Sequence, residues 1–557
     1  MARARARDSD DLALRAVEAI ETGEDPGDFN LRATLDSLRH YLHPLRLGQQ
    51  TVGLGTELLK VLAGRSQISF ERADWRFRDP TWHENPAYRR LGQGYLAWCR
   101  ALEGLVDHDG VNWRHRERAK FAIEILTSTA APTNFLLGNP AALKRALETG
   151  GGSLVKGARN LAHDVRYNRG MPSQVDTSSF EVGRNLAASP GAVVFRNALL
   201  EILQFTVTSK TPHAIPVLIV TPQINKYYFL DLAPGKSFVE YVASQGIQPF
   251  IVSWKNPTPA EGDWNADRYV EALVEAIAAV RSIAGVPRIN LFGFCAGGIT
   301  MSLLLAHLRH SRRDWVNAVS FAVTLLDFSK PAMIGMLHSK PLLTTARSRS
   351  RKRGVIAGRD LAALFTWFRP NDLVWNYWVN NYLLGNSPPS FDILAWNADT
   401  TNLPAALHCE FLDIFERNPL VRAGEFKVLG APVDLSTFRY DTFVTAGITD
   451  HLTPWTGCYQ TTQLVGGTVE FVLSNAGHIA SLVNPPGNPK ASYFTGPQPG
   501  PDPETWRAAA THHQGSWWEY WIRWASARSG PKRQGQRKLG NRKYPALADA
   551  PGTYVFG

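Results

Sequence analysis

Three residues in the second half of the chain have the types and the spacing that nucleophilic catalysis needs. Cys295 is the middle residue of Gly293-Phe-Cys-Ala-Gly297, which has the Gly-x-Ser-x-Gly form of a nucleophile elbow with cysteine in the serine position. Asp450 and His478 each follow a short apolar run further along the chain. A thiolate attacks carbonyls, an imidazole moves protons, and a carboxylate holds the imidazole in one tautomer. The three residues therefore predict acyl transfer through a covalent intermediate on Cys295.

An elbow of this kind needs a strand before the nucleophile and a helix after it. The apolar run from Ile289 to Phe292 predicts a buried strand, and Ile299 to Leu308 is apolar over the length of a helix. Glycines beside the nucleophile let the backbone bend sharply, and the N-terminus of the helix favours thiolate over thiol. A buried cysteine in a glycine-rich turn is the alternative interpretation of the five-residue motif taken alone.

The elements that must position these residues belong to a mostly parallel sheet. From about residue 180, short apolar runs alternate with amphipathic helices, which indicates β-α-β connections. Loops at the carboxyl edge of such a sheet converge, so residues far apart in sequence can meet there. The order nucleophile, acid, histidine predicts the α/β-hydrolase fold. The predicted strands are Val217–Val220, Phe250–Trp254, Ile289–Phe292, Val319–Leu326, Asp441–Ala446 and Val469–Leu473.

Acyl transfer also needs backbone donors for the oxyanion. The N–H of Ala296, directly after the nucleophile, is the first predicted donor. The second should come from the loop after Val220, where we expect the N–H of Ile224 or Asn225.

The remaining candidates for this chemistry are interpreted as structural. A lone aspartate after a strand usually caps a turn, and a lone histidine is usually structural, so each residue is weak evidence by itself. His451 is a rival base, but a neighbour of Asp450 on the same loop would rarely reach the elbow. Cys99, Cys409 and Cys458 have no elbow motif and are expected to pack in the interior.

The length of 557 residues predicts more than one domain. Residues 1–175 predict a helical N-terminal domain, with amphipathic spacing at Leu35–Leu62 and an aromatic helix at Tyr88–Leu105. The catalytic domain is expected to occupy 176–557.

Two parts of this catalytic domain depart from the strand-helix pattern. Residues 327–425 contain a basic run and an aromatic, asparagine-rich segment, and we interpret them as a cap inserted over the active site. Residues from about 526 to 557 are basic and rich in glycine and proline. They predict a poorly packed tail of which only the last residues dock.

Composition limits the partners. The net charge of +11 favours an acidic partner, such as a phosphate-bearing acyl carrier or an anionic surface. No nucleic-acid-binding motif is present, so we expect that no nucleic acid binds. The four cysteines lack both metal-ligand spacing and a disulfide framework, which predicts a reduced intracellular setting and no bound metal. No apolar run approaches the ~20 residues of a membrane span, and no apolar segment of a signal peptide follows Met1.

Several runs taken together resemble those of polyhydroxyalkanoate (PHA) synthases. The resemblance extends from about residue 75 to the end of the chain. It rests on Gly293-Phe-Cys-Ala-Gly-Gly298, Pro222-Gln-Ile-Asn-Lys-Tyr-Tyr228, Arg369-Pro-Asn-Asp-Leu-Val-Trp-Asn-Tyr377, Gly477-His-Ile479, Asn134-Phe-Leu-Leu-Gly-Asn-Pro140, Asp450-His-Leu-Thr-Pro-Trp455, Gly515-Ser-Trp-Trp518 and Ala550-Pro-Gly-Thr-Tyr554.

This resemblance implies an acyltransferase that joins (R)-3-hydroxyacyl-CoA units into a growing storage polyester and releases CoA without a further cofactor. By motif, the nucleophile falls on Cys295, the carboxylate on Asp450 and the general base on His478. The resemblance also implies a homodimer with a gating cap. It places the enzyme in the cytoplasm, on the surface of polyester granules with their associated proteins.

The length resembles that of single-subunit synthases. The runs Gly170-Met-Pro-Ser-Gln-Val175 and Asn484-Pro-Pro-Gly-Asn-Pro489 are most similar to the medium-chain-length, class II branch. That branch has serine where this chain has Ala296, so both short and medium acyl groups stay open as substrates. Two other classes remain: a thioesterase or esterase with a cysteine nucleophile, and a granule-coating protein with an inactive site. The complete set of Cys295, Asp450 and His478 argues against the second.

Overall fold

The computed structural model describes residues 44–106, 113–330, 340–534 and 538–557. Internal contacts divide the chain into two units, Met1–Ser178 with Ala363–Phe391 and Ser179–Ala362 with Asp392–Gly557. The predicted cap is therefore divided as well, because its central part belongs to the same unit as the N-terminal helices. Among the helices of the described residues, none has the length and apolar character needed to cross a bilayer.

The helices follow local signals in the sequence. In α5, for example, the Asn139 side chain accepts a hydrogen bond from Ala142 N at 3.0 Å and Pro140 occupies the first turn. The predicted helix at Leu35–Leu62 is present from Pro44 onward, and its first nine residues lie outside the described ranges. The α-helices of four or more described residues are α1 Pro44–Leu62, α2 Thr81–Glu84, α3 Pro86–Val106, α4 Trp113–Thr129, α5 Pro140–Glu148, α6 Gly152–Tyr167, α7 Phe238–Ser244, α8 Ala266–Ala284, α9 Ala296–His310, α10 Lys340–Arg353, α11 Gly358–Trp367, α12 Asp392–Ala398, α13 Ala405–Arg417, α14 Trp455–Leu464, α15 His478–Leu482, α16 Pro503–Ala509 and α17 Trp517–Ala527.

In the first unit, α4 and α6 contact the aromatic segment that the sequence placed in the cap. This segment contains two π-helical turns, Asn371–Trp375 and Val379–Leu383. The hydroxyl of Tyr382 donates to the buried Asp164 carboxylate at 2.7 Å, and the indole N–H of Trp378 donates to Asn134 O at 3.1 Å. The segment is thus an internal part of the helical unit.

The second unit is built on one sheet of eleven strands. In spatial order they are β10-β9-β8-β7-β6-β5-β3-β4-β2-β1-β11. The six strands from β8 to β4 are mutually parallel, and those outside them pair antiparallel. The strands are β1 Gly191–Arg196, β2 Leu200–Phe205, β3 Val217–Val220, β4 Pro249–Trp254, β5 Ile289–Phe294, β6 Val316–Ala322, β7 Asp441–Gly447, β8 Val469–Ser474, β9 Ser492–Thr495, β10 Thr511–Gln514 and β11 Ala548–Asp549.

The six predicted strands all exist, but one of them is shifted. We expected Val319–Leu326, whereas β6 runs from Val316 to Ala322. Val323 has a φ of 45°, which no β-strand accommodates, so the strand must end before it.

The core of this unit lies on both faces of the parallel strands, because all residues of β3, β4 and β5 are buried. Helix α17 covers one face with the fully buried Trp517, Trp518 and Trp521. Trp521 stacks on Phe292 of β5 with ring centroids 5.0 Å apart. The Gly515-Ser-Trp-Trp518 run is therefore first of all a packing element beneath the elbow strand.

The last residues of the chain dock on the sheet, as expected, and more of the tail is ordered than expected. Ala548 and Asp549 form β11 and pair with β1, and Val555 is buried. Further back in the tail, Gly540 N donates to Gln204 Oε1 of β2 at 2.7 Å, so the packing is not limited to the last residues.

Candidate active site

Cys295 lies between the end of β5 and the first turn of α9, which is the position predicted for a nucleophile. Its backbone has φ 48° and ψ −125°, a conformation that costs about 1–3 kcal/mol for a residue with a side chain. A hydrogen bond from Cys295 N to Ala322 O, 2.9 Å long, holds it in place. The half-buried thiol therefore lies at the N-terminal end of α9, where the helix dipole favours an anion.

The glycines of the elbow are required by close backbone approach. A Cβ atom on Gly297 would lie 2.3 Å from Val220 O and 2.5 Å from Thr221 O. A Cβ atom on Gly293 would lie 2.6 Å from the Cα atom of Gly298. The end of β3 therefore packs directly against the first turn of α9, and this brings the loop after β3 to the elbow.

Asp450 and His478 follow β7 and β8, the two strands beyond β6 in the parallel sheet. His478 Nδ1 lies 2.7 Å from Asp450 Oδ2, and both side chains are buried. The other carboxylate oxygen accepts hydrogen bonds from the backbone N–H groups of Leu452 and Thr453, each at 2.9 Å. The Thr453 hydroxyl donates to Asp450 Oδ2 at 2.5 Å. The carboxylate is thus fixed from three sides and orients the imidazole.

The electrostatics of His478 favour its charged form. Burial works to lower its pKa, but the Asp450 carboxylate and a charged Cys295 outweigh burial, so the pKa of His478 lies well above its ordinary value. Cys295 contributes to this raised pKa, so its sulfur lies near the imidazole. The three predicted residues are therefore brought together in the order Cys295, His478, Asp450.

The predicted oxyanion donors lie on the two segments that meet at the elbow, the first turn of α9 and the loop after β3. Ala296 N is in the first turn of α9, where backbone N–H groups have no partner within the helix. The loop that carries Ile224 and Asn225 is tied to the same helix, since Gln223 Nε2 donates to Thr300 Oγ1 at 2.9 Å. The roles of Ala296, Ile224 and Asn225 as donors stay predictions.

The rival residues occupy other positions. His451 is exposed on the loop after β7, whereas His478 is buried against Asp450. Cys409 is buried in α13, and Cys99 is half-buried in α3. Within the described ranges, no three His, Cys, Asp or Glu side chains form a group that would hold a metal ion.

Three further residues support the site, and sequence reasoning missed them. Thr453 bonds to Asp450 and lies 3.1 Å from His478 Nδ1. Cys458 Sγ donates to Thr453 O at 3.3 Å, and burial, followed by the Asp450 carboxylate, raises its pKa well above the ordinary value. Trp517 Nε1 donates to Ser481 O at 2.6 Å, which anchors the short helix that begins at His478. An Asp-x-x-Thr turn was the one available signal, and it pointed to Thr453 alone.

The strand order and the position of the elbow define an α/β-hydrolase-fold protein with cysteine at the nucleophile position. Residues 230–485 match the family model described as alpha/beta hydrolase fold. Residues 73–242 match the model described as poly-beta-hydroxybutyrate polymerase (PhaC) N-terminus. The second match lies mostly outside the hydrolase-fold region and points to one family.

Full-length relatives identify that family. Poly(3-hydroxyalkanoate) polymerase 2 of Ectopseudomonas oleovorans is 47% identical over 98% of this chain and 96% of its own length. Polymerase 1 of the same organism is 46% identical over 92% of this chain and 91% of its own length. The polymerase subunit PhaC of Cupriavidus necator is 39% identical over 88% of this chain and 84% of its own length. The chain belongs to the poly(3-hydroxyalkanoate) polymerase family, and the predicted likeness to the class II branch is confirmed.

Proposed function

We propose that this chain joins (R)-3-hydroxyacyl-CoA units into a polyester and releases CoA. The observation that carries the proposal is Cys295 on the elbow beside the hydrogen-bonded pair His478 and Asp450, in a member of the polymerase family. The relatives from E. oleovorans are named for this activity.

In the first half of the cycle, the Cys295 thiolate attacks the thioester carbonyl. The carbon–sulfur bond to CoA breaks, and the leaving thiolate takes the proton of the His478 imidazolium. Attacking and leaving atoms are both sulfur, so the acyl group on Cys295 keeps the reactivity of a thioester. The N–H of Ala296 and that of Ile224 or Asn225 stabilise the oxyanion in this step.

In the second half, an alcohol captures the acyl group. The 3-hydroxyl of a second unit gives its proton to His478 and attacks the acyl carbonyl. An ester bond forms, the carbon–sulfur bond to Cys295 breaks, and the thiolate and imidazolium are restored. Water competes with this alcohol, so a polymerase must keep water away from the acyl group on Cys295.

The first test is CoA release from the purified protein, comparing (R)-3-hydroxybutyryl-CoA with (R)-3-hydroxyoctanoyl-CoA and identifying the acyl product. Insoluble polyester is expected, and the faster substrate assigns the acyl length. Free hydroxyacid would instead indicate the thioesterase alternative. Cys295→Ala is expected to abolish CoA release with unchanged circular dichroism, and near-normal turnover in this variant would remove Cys295 as nucleophile.

The mechanism uses only side chains and backbone groups, so we propose that no metal or cofactor takes part beyond the CoA of the substrate. EDTA is expected to leave the rate of CoA release unchanged. A rate lost with EDTA and regained with a divalent cation would contradict this.

We also propose that the enzyme is cytoplasmic and attaches to the polyester granule through its first unit. Fourteen of the sixteen exposed large apolar side chains among the described residues lie in residues 44–178. Leu45, Val52 and Leu59 recur every seven residues along α1, so they form one exposed stripe on the helix. An exposed apolar stripe fits an apolar polymer surface.

Replacing Leu45, Val52 and Leu59 by serine tests this attachment. The triple variant is expected to sediment less with polyester particles while its CoA release stays normal. Leu547→Ser, which removes an exposed leucine of the second unit, is the matched control. We also propose that the enzyme forms a homodimer. If the triple variant lost the dimer in analytical ultracentrifugation but still bound polyester particles, the stripe would be assigned to the dimer interface instead.

A further inference from the structure

Lys226 is a buried lysine in the loop that carries the proposed oxyanion donors. It directly follows Asn225 and is only 5% exposed. Its ammonium group donates to Val555 O at 2.8 Å and to Gly557 O at 2.6 Å. The Asp399 carboxylate lies further away, at 3.9 Å. A buried ammonium group needs such acceptors, so the end of the chain and this loop are held together by one side chain.

The segment that receives Lys226 is itself fixed to the sheet. The backbone N–H groups of Thr553 and Tyr554 donate to the carboxylate of Glu201 at 3.0 and 3.1 Å. Glu201 is fully buried in β2, and its charge is paired with Arg196. The Tyr554 hydroxyl donates to Asn197 O at 2.7 Å. Residues 553–557 therefore form a rigid platform on β2.

The other side of the loop is fixed by different contacts. Trp396 Nε1 donates to Lys226 O at 2.8 Å, and Gln223 Nε2 reaches Thr300 on the elbow helix. The backbone from Gln223 to Lys226 is thus held at the elbow by its first residue and at the platform by its last. Ile224 and Asn225 lie between the two attachments, and Asn225 also pairs with Thr400 in an antiparallel bridge.

We infer that Lys226 is a positioning residue that fixes the oxyanion donors of this loop against the platform formed by residues 553–557. This inference rests on the proposed function for the identity of the reaction, although it requires only acyl transfer to Cys295. An oxyanion donor acts only when it lies about 2.7–3.1 Å from the developing charge. We call the hydrogen bonds from Lys226 to Val555 O and Gly557 O the clamp. Loss of the clamp should therefore slow acylation of Cys295 without changing the reactivity of its thiolate.

The test compares Lys226→Met with Lys226→Arg and with a matched control, Lys236→Met. Lys236 lies ten residues further along and pairs with Asp392 at 2.6 Å near the surface. The readouts are the rate of CoA release in the first turnover, the substrate concentration for half-maximal rate, and the alkylation rate of Cys295 by iodoacetamide. Alkylation forms no oxyanion, so it reports on the thiolate alone.

Lys226→Met is expected to slow the first turnover by about 10- to 100-fold. The half-maximal substrate concentration and the alkylation rate should stay within about threefold. Lys226→Arg should recover most of the rate because it keeps the charge and the donors. Lys236→Met should behave as wild type. A normal first turnover in Lys226→Met, or a parallel loss of alkylation, would overturn the inference.

A second variant lacks Val555–Gly557 and removes the acceptors instead of the donor. It should show the same loss, and Lys226→Met in this background should cause no further loss, since both changes remove one interaction. Independent, multiplicative losses would contradict the clamp. If neither variant keeps the wild-type circular dichroism, the contact serves stability and the positioning role is wrong.

The same samples separate this inference from the proposed function. First-turnover CoA release reports acylation of Cys295 whatever the later product is. If the wild type yields free hydroxyacid in place of polyester, the polymerase proposal fails while the clamp is still tested by the rates of the Lys226 variants.

Discussion

At the scale of single residues, the Asp450 carboxylate is hydrogen-bonded to His478, so we expect it to act through the imidazole. Its carboxylate is enclosed by Leu452, Thr453 and the imidazole. Asp450→Asn replaces one acceptor oxygen by an NH₂ donor, which disturbs the tautomer while the base remains. We expect this variant to lose about 10²-fold or more in kcat, and His478→Gln to lose clearly more. Steady-state CoA release from the two variants is the measurement, and the reverse ranking would show that Asp450 acts directly.

The raised pKa of His478 has a consequence for the pH dependence of Cys295. A histidine with a raised pKa keeps its proton as the pH rises past about 6.5, so an imidazolium persists beside the sulfur at neutral pH. This cation favours the thiolate. We expect Cys295 to react with iodoacetamide at pH 6, and His478→Gln to slow that reaction by about tenfold or more.

Peptide mapping by mass spectrometry gives the alkylation rate of each cysteine between pH 5 and pH 8. Asp450→Asn should also slow alkylation at pH 6, because it removes the charge that most raises the pKa of His478. Cys99, in the first unit, is the internal control and should be unaffected. Equal rates for Cys295 in wild type and His478→Gln at pH 6 would contradict the ion pair.

The sequence predicted that these three residues would lie together, because each follows the carboxyl end of a predictable strand, and the structure places them so. Thr453 and Trp517 were not predictable in the same way. Their roles depend on hydrogen bonds to Asp450 and to Ser481 O, which exist only once separate loops are folded together. Residues of the site that act through another residue carry little signal of their own.

At the scale of elements, the elbow depends on the fit between β3 and α9. Gly297→Ala would place a methyl group 2.3 Å from Val220 O, so either the helix or the loop after β3 must move. We expect a loss of about 10²-fold in kcat and a loss of about 1–3 kcal/mol in the free energy of unfolding. CoA release and urea unfolding measure the two effects.

Gly500→Ala is the matched control, since a Cβ atom there has no neighbour within 4 Å. It should retain normal activity and stability. A Gly297→Ala protein that is as active as this control would mean that the elbow tolerates displacement, and the close approach would then have no catalytic meaning.

The elements of the sheet were predictable to different degrees for a physical reason. The parallel strands are buried on both faces and show as continuous apolar runs, such as Val217–Val220. The strand Thr511–Gln514 has two histidines and mostly exposed side chains, so no apolar pattern predicts it. It forms because the neighbouring strand Ser492–Thr495 offers backbone partners, which local sequence does not report.

At the scale of the whole molecule, the first unit is assembled from two distant parts of the chain. Residues 363–391 belong to the same unit as the helices from residues 44–178, although their neighbours in sequence belong to the second unit. Composition and periodicity identified the aromatic segment, but the sequence analysis assigned it to the cap. Its partners could not be predicted, because contacts such as that between Asn160 and Asn381 O, at 2.9 Å, join residues more than 200 positions apart.

This discontinuity predicts how a catalytic fragment would behave. A fragment of residues 179–557 retains the segment 363–391 but lacks the groups that bond to it, including Asp164 and Asn134. The large apolar side chains of Leu373, Val374 and Tyr377, which are buried in the full chain, would lose packing partners. We therefore expect proteases to cut the fragment within 363–391 at concentrations that leave the full chain intact there.

A second fragment, in which residues 363–391 are replaced by a short glycine-serine linker, isolates the cause. It should resist the protease, because the exposed segment is gone while the eleven-stranded sheet is unchanged. Mass spectrometry of the limited digests locates each cut. If the fragment 179–557 resisted cleavage within 363–391 as well as the full chain does, the segment would be stable without residues 44–178. Its packing in the first unit would then not be what holds it folded, since local unfolding governs cleavage of such segments.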